Sequence, residues 1–304
     1  MYSKRITFKF YVLLLAIAGM SFTFSSCTSG GKKPAGEEKS AKAEKFIGIQ
    51  LYSVRDDIGK DLPGTVKAVG DMGYKFVEAA SYGDGKMYGM EPEAFRDLCE
   101  SNGLKFFGAH TGHDVPNEEN WDETMKWWDE CIAAHKAAGV KWIVQPWLGG
   151  SGYESLEGLK KYCEYFNAVG EKCNAAGIRF GYHNHDKEFT TEFEGKPLYD
   201  WMLELTDPDK VMFELDLYWI AEGGKNALDY FDKYPGRFEL WHIKDEKELG
   251  ASGKMDFASV FAQREKSGCK YGIVEVERYD FEPLESCKKS IEYLNSQDYV
   301  DLYK

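Results

Sequence analysis

The sequence predicts an α/β fold, a single (β/α)8 TIM barrel, on three observations. Short apolar, β-prone runs alternate with helix-like segments eight times over roughly 250 residues, the span such a barrel needs. Helical segments repeat one punctuation, with Pro early in several and Gly just past the end of most. The last four apolar runs close on ionisable residues: RFGYHNHDKEF (Arg179–Phe189), VMFELDLYW (Val211–Trp219), FELWHIKDE (Phe238–Glu246) and YGIVEVERYD (Tyr271–Asp280). A doubly wound open sheet would carry a Gly-rich turn after its first strand, and IQLYSVRDD has no glycine there.

Taken in order, FIGIQLYSV (Phe46–Val54) reads as the first strand and Asp61–Gly73 as the first helix, with Pro63 near its start. Tyr74–Ser81 and Glu91–Gly103 form the second pair, and Leu104–His113 and Asn120–Gly139 the third. Val140–Trp147 and Ser155–Gly177 form the fourth. IRFGYHNH is the fifth strand, with a helix near Pro197–Leu205. The sixth and seventh strands precede helices at Ala227–Tyr234 and Phe257–Gly268. GIVEVE is the eighth strand, and the last helix runs from Pro283 to Asn295.

The barrel is expected over residues 46–304. Ahead of it, Lys4, Arg5 and Lys9 precede an apolar run from Phe10 to Met20 that is too short to span a bilayer comfortably. Phe24-Ser25-Ser26-Cys27 resembles a bacterial lipobox. Residues 1–27 therefore read as a lipoprotein signal peptide ending in a lipidated Cys27, and residues 28–45 as a polar tether. The expected location is the periplasmic face of the cell envelope. The other cysteines, Cys99, Cys131, Cys163, Cys173, Cys269 and Cys287, sit among apolar neighbours and are expected as buried free thiols. With 51 acidic against 38 basic residues the net charge is -13, which argues against a nucleic-acid partner.

The polar strand ends supply the candidate site. In a strand His183 and His185 share a face while Asn184 takes the other. Glu78 ends the second strand inside an apolar run, where a carboxylate without a partner would be unstable. His110 closes the third strand after two small residues. His113 reads as a loop histidine and His135 as a surface or packing one. On strand six Glu214 and Asp216 share a face, with Asp216 nearer the functional end. His242 pairs with Lys244 on strand seven, and Glu275 with Glu277 on strand eight. Carboxylates and imidazole at a barrel mouth suit a divalent cation. Mn²⁺ or Mg²⁺ is favoured, with Co²⁺ and Zn²⁺ as alternatives.

Together GYHNHDKEF, FELDLYWI, GRFELWHIKD and GIVEVE resemble the xylose isomerase-like barrel family, often labelled sugar phosphate isomerase/epimerase. The resemblance covers about Phe46 to Asn295. It implies one divalent metal held by a Glu, an Asp, a His and a Glu from strands five to eight. Asp216, His242 and Glu275 match three of these. Many epimerases carry a Glu where this chain has His183, so the first ligand passes to Glu188 or to a histidine, and Glu188 is the expectation. The implied chemistry is proton abstraction next to a carbonyl through an enediolate. His185 would be base or acid, Lys244 would stabilise the oxyanion, and Glu78 or His110 would hold substrate hydroxyls. Tyr52, Trp147, Tyr182, Trp219 and Trp241 could offer faces for a sugar ring. No phosphate-binding motif is present, so a non-phosphorylated sugar, keto-sugar or glycoside is expected. Two alternatives stand beside the isomerase or epimerase. One is a keto-glycoside lyase or dehydratase using the same metal site, and the other a non-catalytic carbohydrate-binding lipoprotein.

Overall fold

The computed structural model describes residues 44–303. Eight parallel strands close on themselves: β1 (Gly48–Gln50), β2 (Phe76–Ala79), β3 (Lys105–His110), β4 (Trp142–Gln145), β5 (Arg179–His183), β6 (Val211–Asp216), β7 (Leu240–Ile243) and β8 (Tyr271–Val274). Around the barrel they run in sequence order, and β1 pairs with both β2 and β8. A principal helix follows each strand: α1 (Leu62–Asp71), α2 (Pro92–Ser101), α3 (Trp121–Ala137), α4 (Leu156–Ala176), α5 (Leu198–Leu205), α6 (Ala227–Lys233), α7 (Phe257–Phe261) and α8 (Pro283–Ser296). The expected barrel is the observed one.

Local chemistry sets the helix limits. Asp61 accepts from Gly64 N to cap α1, and Ser155 accepts from Gly158 N to cap α4. Gly177, at φ 81°, stops α4 in a left-handed conformation that a side chain would disfavour. Between them α4 buries Leu159, Cys163, Phe166, Val169 and Cys173, one apolar stripe at three- and four-residue spacing turned to the barrel.

Several elements are shorter than the sequence suggests. Gln50 ends β1 because its side chain accepts from Tyr52 N and turns the chain into a single 3-10 turn, Leu51–Val54. Asp216 likewise ends β6 by accepting from Tyr218 N and Trp219 N at the head of a short helix, Leu217–Glu222. The helix expected over Phe257–Gly268 is broken into Phe257–Phe261 and Arg264–Ser267. The six cysteines within the described residues are all free and buried. His135 is fully buried and bonds back to the Cys131 carbonyl, a packing residue. The signal segment, Cys27 and all but the last two tether residues lie outside the described residues. Lys45, expected as tether, already bridges to Tyr303. Among the described residues no helix is long and apolar enough to cross a membrane.

The barrel interior is layered. Phe76, Trp142, Met212, Leu240 and Ile273 form a buried apolar floor, backed by Phe46, Phe107 and Tyr271. Two residues further along β2, β6 and β7, alternation brings Glu78, Glu214 and His242 inward above it. Two glycines make room for the floor's rings. A Cβ on Gly48 would lie 2.1 Å from the Phe76 ring, and one on Gly108 would lie 1.9 Å from Trp142 Nε1. That indole nitrogen donates to Glu78 Oε2 at 2.5 Å, so floor and polar layer are coupled. Gly108→Ala is therefore expected to cost about 1–3 kcal/mol by overpacking. Urea denaturation read by Trp fluorescence checks this, and an unchanged midpoint would show that Trp142 can yield.

Candidate active site

The polar layer lies at the C-terminal ends of the strands, the end where barrels of this class carry their chemistry. His242 is its centre and is fully buried. Its Nε2 lies 3.0 Å from Glu78 Oε1 and 3.2 Å from Glu214 Oε2, and its Nδ1 lies 3.3 Å from Glu275 Oε2 and 3.9 Å from Asp216 Oδ2. His110 stacks on His242 at 5.0 Å and 12°. Its Nε2 reaches Glu214 Oε2 at 2.6 Å and Glu78 Oε1 at 3.1 Å. Gln50 donates to Glu78 Oε1 at 2.9 Å. His183 Nδ1 lies 3.4 Å from Glu214 Oε2.

Two sets of donors converge, each within 4.8 Å. The deeper is His110, His183, Glu214 and His242, and the one nearer the mouth is His183, Asp216, His242 and Glu275. Asp216, His242 and Glu275 are thus brought together as expected. Glu188 is not with them, and this corrects its placement at the strand-five ligand position. The chain turns after His183 into a short helix, Lys187–Thr190, and Glu188 is buried behind the strand. There it accepts from the hydroxyls of Tyr153 and Tyr182 and from the His185 amide at 3.0 Å. His183 occupies the fourth position. Glu188 instead fixes the turn that carries His185, whose ring lies 5.0 Å from that of His183.

Charge in this layer is set by burial against pairing. Burial works to raise Glu78, but His110 and His242 hold it well below the usual carboxylate range. Burial works to lower His110, but Glu78 and Glu214 push it up to about 9. His242 is likewise raised against burial by Glu214 and Glu275. His183 goes the other way: burial and then the neighbouring His242 and His110 keep it neutral. Burial pushes Asp216 up to about 8, with Lys244 pulling it down and Glu275 pushing it up. Lys244 is itself held between Glu277 at 2.8 Å and Glu275 at 3.5 Å.

The donor set nearer the mouth fits a divalent cation on this structure's own terms. Asp216 spends Oδ1 on the helix that follows it and leaves Oδ2 buried with no hydrogen bond. His183 Nδ1 is also buried without one. A neutral imidazole and a carboxylate that is costly to ionise alone are what a bound cation stabilises.

Residues 66–297 match the family described as xylose isomerase-like TIM barrel. The chain belongs to that family. Within the xylose isomerase-like proteins it is 31% identical to a sugar phosphate isomerase/epimerase from Parabacteroides distasonis, with a TM-score of 0.78 over 84% of this chain and 100% of that one. An inosose dehydratase from Lacticaseibacillus casei is 28% identical over 120 residues, 38% of each chain, so the match spans little more than a third of that relative. An inosose dehydratase from Geobacillus kaustophilus is 21% identical over 238 residues, 69% of this chain and 74% of its own.

Of the other expected residues, Glu78 and His110 lie in the buried layer, and His185 and Lys244 lie nearer the mouth. The sequence reading passed over Gln50, Trp142 and Gln145. Gln50 and Gln145 carry the same signal as Glu78, one polar group at the end of an apolar strand. Trp142 reads as core until its indole N–H is seen to bond Glu78.

Above pH 6.5, where the lowered Glu78 and His183 have already given up their protons, stability of the metal-free chain should follow the raised groups. Folding raises His110 from its ordinary 6.5 to about 9, and Asp216 from 3.8 to about 8, so both bind more protons folded than unfolded. Their contribution is lost as pH rises through the folded values. The thermal midpoint is expected to fall between pH 6.5 and 9, with a shallower fall in His110→Asn. A midpoint that stays flat or rises over that window would contradict the charge assignment.

Proposed function

We propose that this protein abstracts a proton next to the carbonyl of a non-phosphorylated sugar or keto-sugar, with a divalent metal, as an isomerase or epimerase. The observation that carries the reading is the meeting of His183, Asp216, His242 and Glu275 at the barrel mouth, with His185 beside them. These four would hold the ion, His183 in place of Glu188. When bound, the ion would polarise the carbonyl and hydroxyl oxygens of the sugar. Among the candidates, Mn²⁺ and Mg²⁺ suit two carboxylates, and two imidazoles also admit Co²⁺ and Zn²⁺.

The chain's own groups do the rest. His242 keeps its Nε2 side on Glu78 and Glu214, which orients the opposite nitrogen towards Asp216 and Glu275. His185 stands at the cavity, free of the buried ion-pair layer, and takes the proton from carbon. Lys244, buried behind the cavity wall and paired with Glu275 and Glu277, would steady negative charge developing on oxygen from behind those carboxylates rather than by lining the cavity. The cavity is about 270 Å³, and its lining carries Glu275 and Glu277 but no Lys or Arg. Without a guanidinium or ammonium group on the lining to pair a phosphate, the site favours a neutral sugar.

Elimination by the same proton abstraction is the second reading. The inosose dehydratase matches favour it, because removal of a proton next to a carbonyl also begins the loss of a β-substituent. Both readings share a location: we propose a lipid anchor at Cys27 and work on the periplasmic side.

The test is metal content and proton exchange. One equivalent of metal is expected in the wild type and none in folded Asp216→Ala and His242→Ala. Deuterium wash-in from D2O into keto-sugars is expected to fall about 10²–10⁴-fold in His185→Ala. A product that has lost its β-substituent and gained a carbon–carbon double bond, with water or an alcohol released, would select elimination. A metal-free wild type under replete conditions, with no exchange, would sink the enzyme reading.

A further inference from the structure

We propose that Tyr52 and Trp147 form a stacking subsite at the rim of the cavity. It would receive a ring carried on the sugar that reacts, so the substrate is a glycoside bearing a second pyranose or an aryl group rather than a free monosaccharide. The inference deepens the sugar reading above and rests on it.

Five aromatic side chains near strand ends could stack on a sugar, and burial separates them. Tyr182 and Trp241 are fully buried in the layer between barrel and helices, and Trp219 is half-buried. Tyr52 and Trp147 remain exposed by 43% and 38%, two of only five large apolar side chains so exposed among the described residues. Both line the one cavity that also holds His183, His185 and Glu275. An isolated exposed aromatic needs no explanation, but two on one cavity do.

The two are held by matching devices. Each stands two residues after a glutamine that ends its strand, in Gln50-Leu51-Tyr52 and Gln145-Pro146-Trp147, and both glutamines are fully buried. Gln50 Oε1 accepts from the Tyr52 amide at 3.0 Å, and Gln145 Nε2 donates to the Trp147 carbonyl at 3.1 Å. The rings are also braced. The Arg55 guanidinium lies 4.3 Å from the centre of the Tyr52 ring and bonds the Tyr52 carbonyl. Trp147 Nε1 donates to Asp114 at 3.4 Å. An aromatic whose main chain and ring are both fixed loses little freedom on binding, the condition for a useful stacking platform.

Size and wall chemistry then fix the ligand. A cavity of about 270 Å³ lies below the roughly 300–1,000 Å³ of sites that enclose a drug-sized molecule, so it takes one ring. Its wall is divided. The β1 to β4 side offers Tyr52, Ala80, Pro146 and Trp147, with His110 below, while the β5 and β8 side offers histidines and carboxylates. A substituent leaving the enclosed ring on the apolar side meets the exposed rings. The flat C–H face of a pyranose and an aryl ring share the chemistry that such a platform binds.

The experiment measures affinity of the full, metal-loaded chain for methyl β-glucoside, phenyl β-glucoside and cellobiose by calorimetry. Phenyl glucoside or cellobiose is expected to bind roughly two- to tenfold tighter than methyl glucoside for each ring contact. That ratio should collapse in Tyr52→Ala and Trp147→Ala and survive in Tyr52→Phe and Trp147→Phe, which guards against misfolding. A gain with cellobiose alone identifies a sugar substituent, and a gain with phenyl glucoside alone an aryl one. Equal affinity for all three, or a ratio untouched by the Ala variants, overturns the subsite while the sugar reading stands. Failure of all three glycosides to bind overturns the subsite and leaves the sugar reading to the metal-content and exchange test above.

Discussion

Four ionisable side chains, Glu78, His110, Glu214 and His242, meet within hydrogen-bonding distance inside a closed barrel, and the rest of the molecule accommodates that fact. Isolated, each charge would be too costly to bury. Paired, Glu78 and the two raised imidazoles hold one another in charged form, while burial and the neighbouring Glu78 raise Glu214. Gln50 and the Trp142 indole N–H add hydrogen bonds to both oxygens of Glu78, whereas Glu214 keeps Oε1 buried without one. The floor follows from the same demand. Aromatic rings below, packed against glycines that leave them space, close one end of the barrel, so the polar groups look towards the other.

The quartet also gives His242 its direction. One ring nitrogen faces the two carboxylates beneath, so the opposite one is turned to Asp216 and Glu275. A histidine anchored on one side by carboxylate is the usual support for a metal ligand. Asp216 is shaped by its own neighbourhood. By capping the helix that follows β6 with one oxygen it leaves the other free and aimed. The orientation of these candidate donors is thus settled by contacts made outside the donor set.

Much of this was legible in the sequence because strand alternation is a strict rule. Once an apolar run is read as a strand, Glu214 and Asp216 must share a face, as must His242 and Lys244. The barrel class is read from eightfold repetition, which needs no tertiary knowledge. Glu188 was misplaced because alternation ends with the strand. After His183 the chain turns, and no period links residue 188 to the barrel axis. Only the hydroxyls of Tyr153 and Tyr182, distant in sequence, reveal where it goes. Gln50 and Gln145 were passed over for a different reason. An amide is silent in a search for charge, although its burial at a strand end is as demanding as that of a carboxylate.

The divided cavity bears on how the proposed reaction would end. Removing a proton requires one group, and both outcomes then need a second. Epimerisation returns a proton to the opposite face of the same carbon, and elimination protonates or stabilises a departing oxygen. His185 follows β5, while Glu275 and Glu277 follow β8, so ionisable groups flank the cavity from two directions. The apolar wall between β1 and β4 offers no such group above His110. Under the proposed mechanism a group on each side of the cavity could serve either ending, so the deciding term moves to the substrate. A sugar whose carbon β to the carbonyl carries a good leaving group will lose it faster than the proton can return. One without such a group can only be reprotonated. On this view the rim aromatics do more than add affinity, because by selecting what is attached to the reacting ring they select which reaction follows.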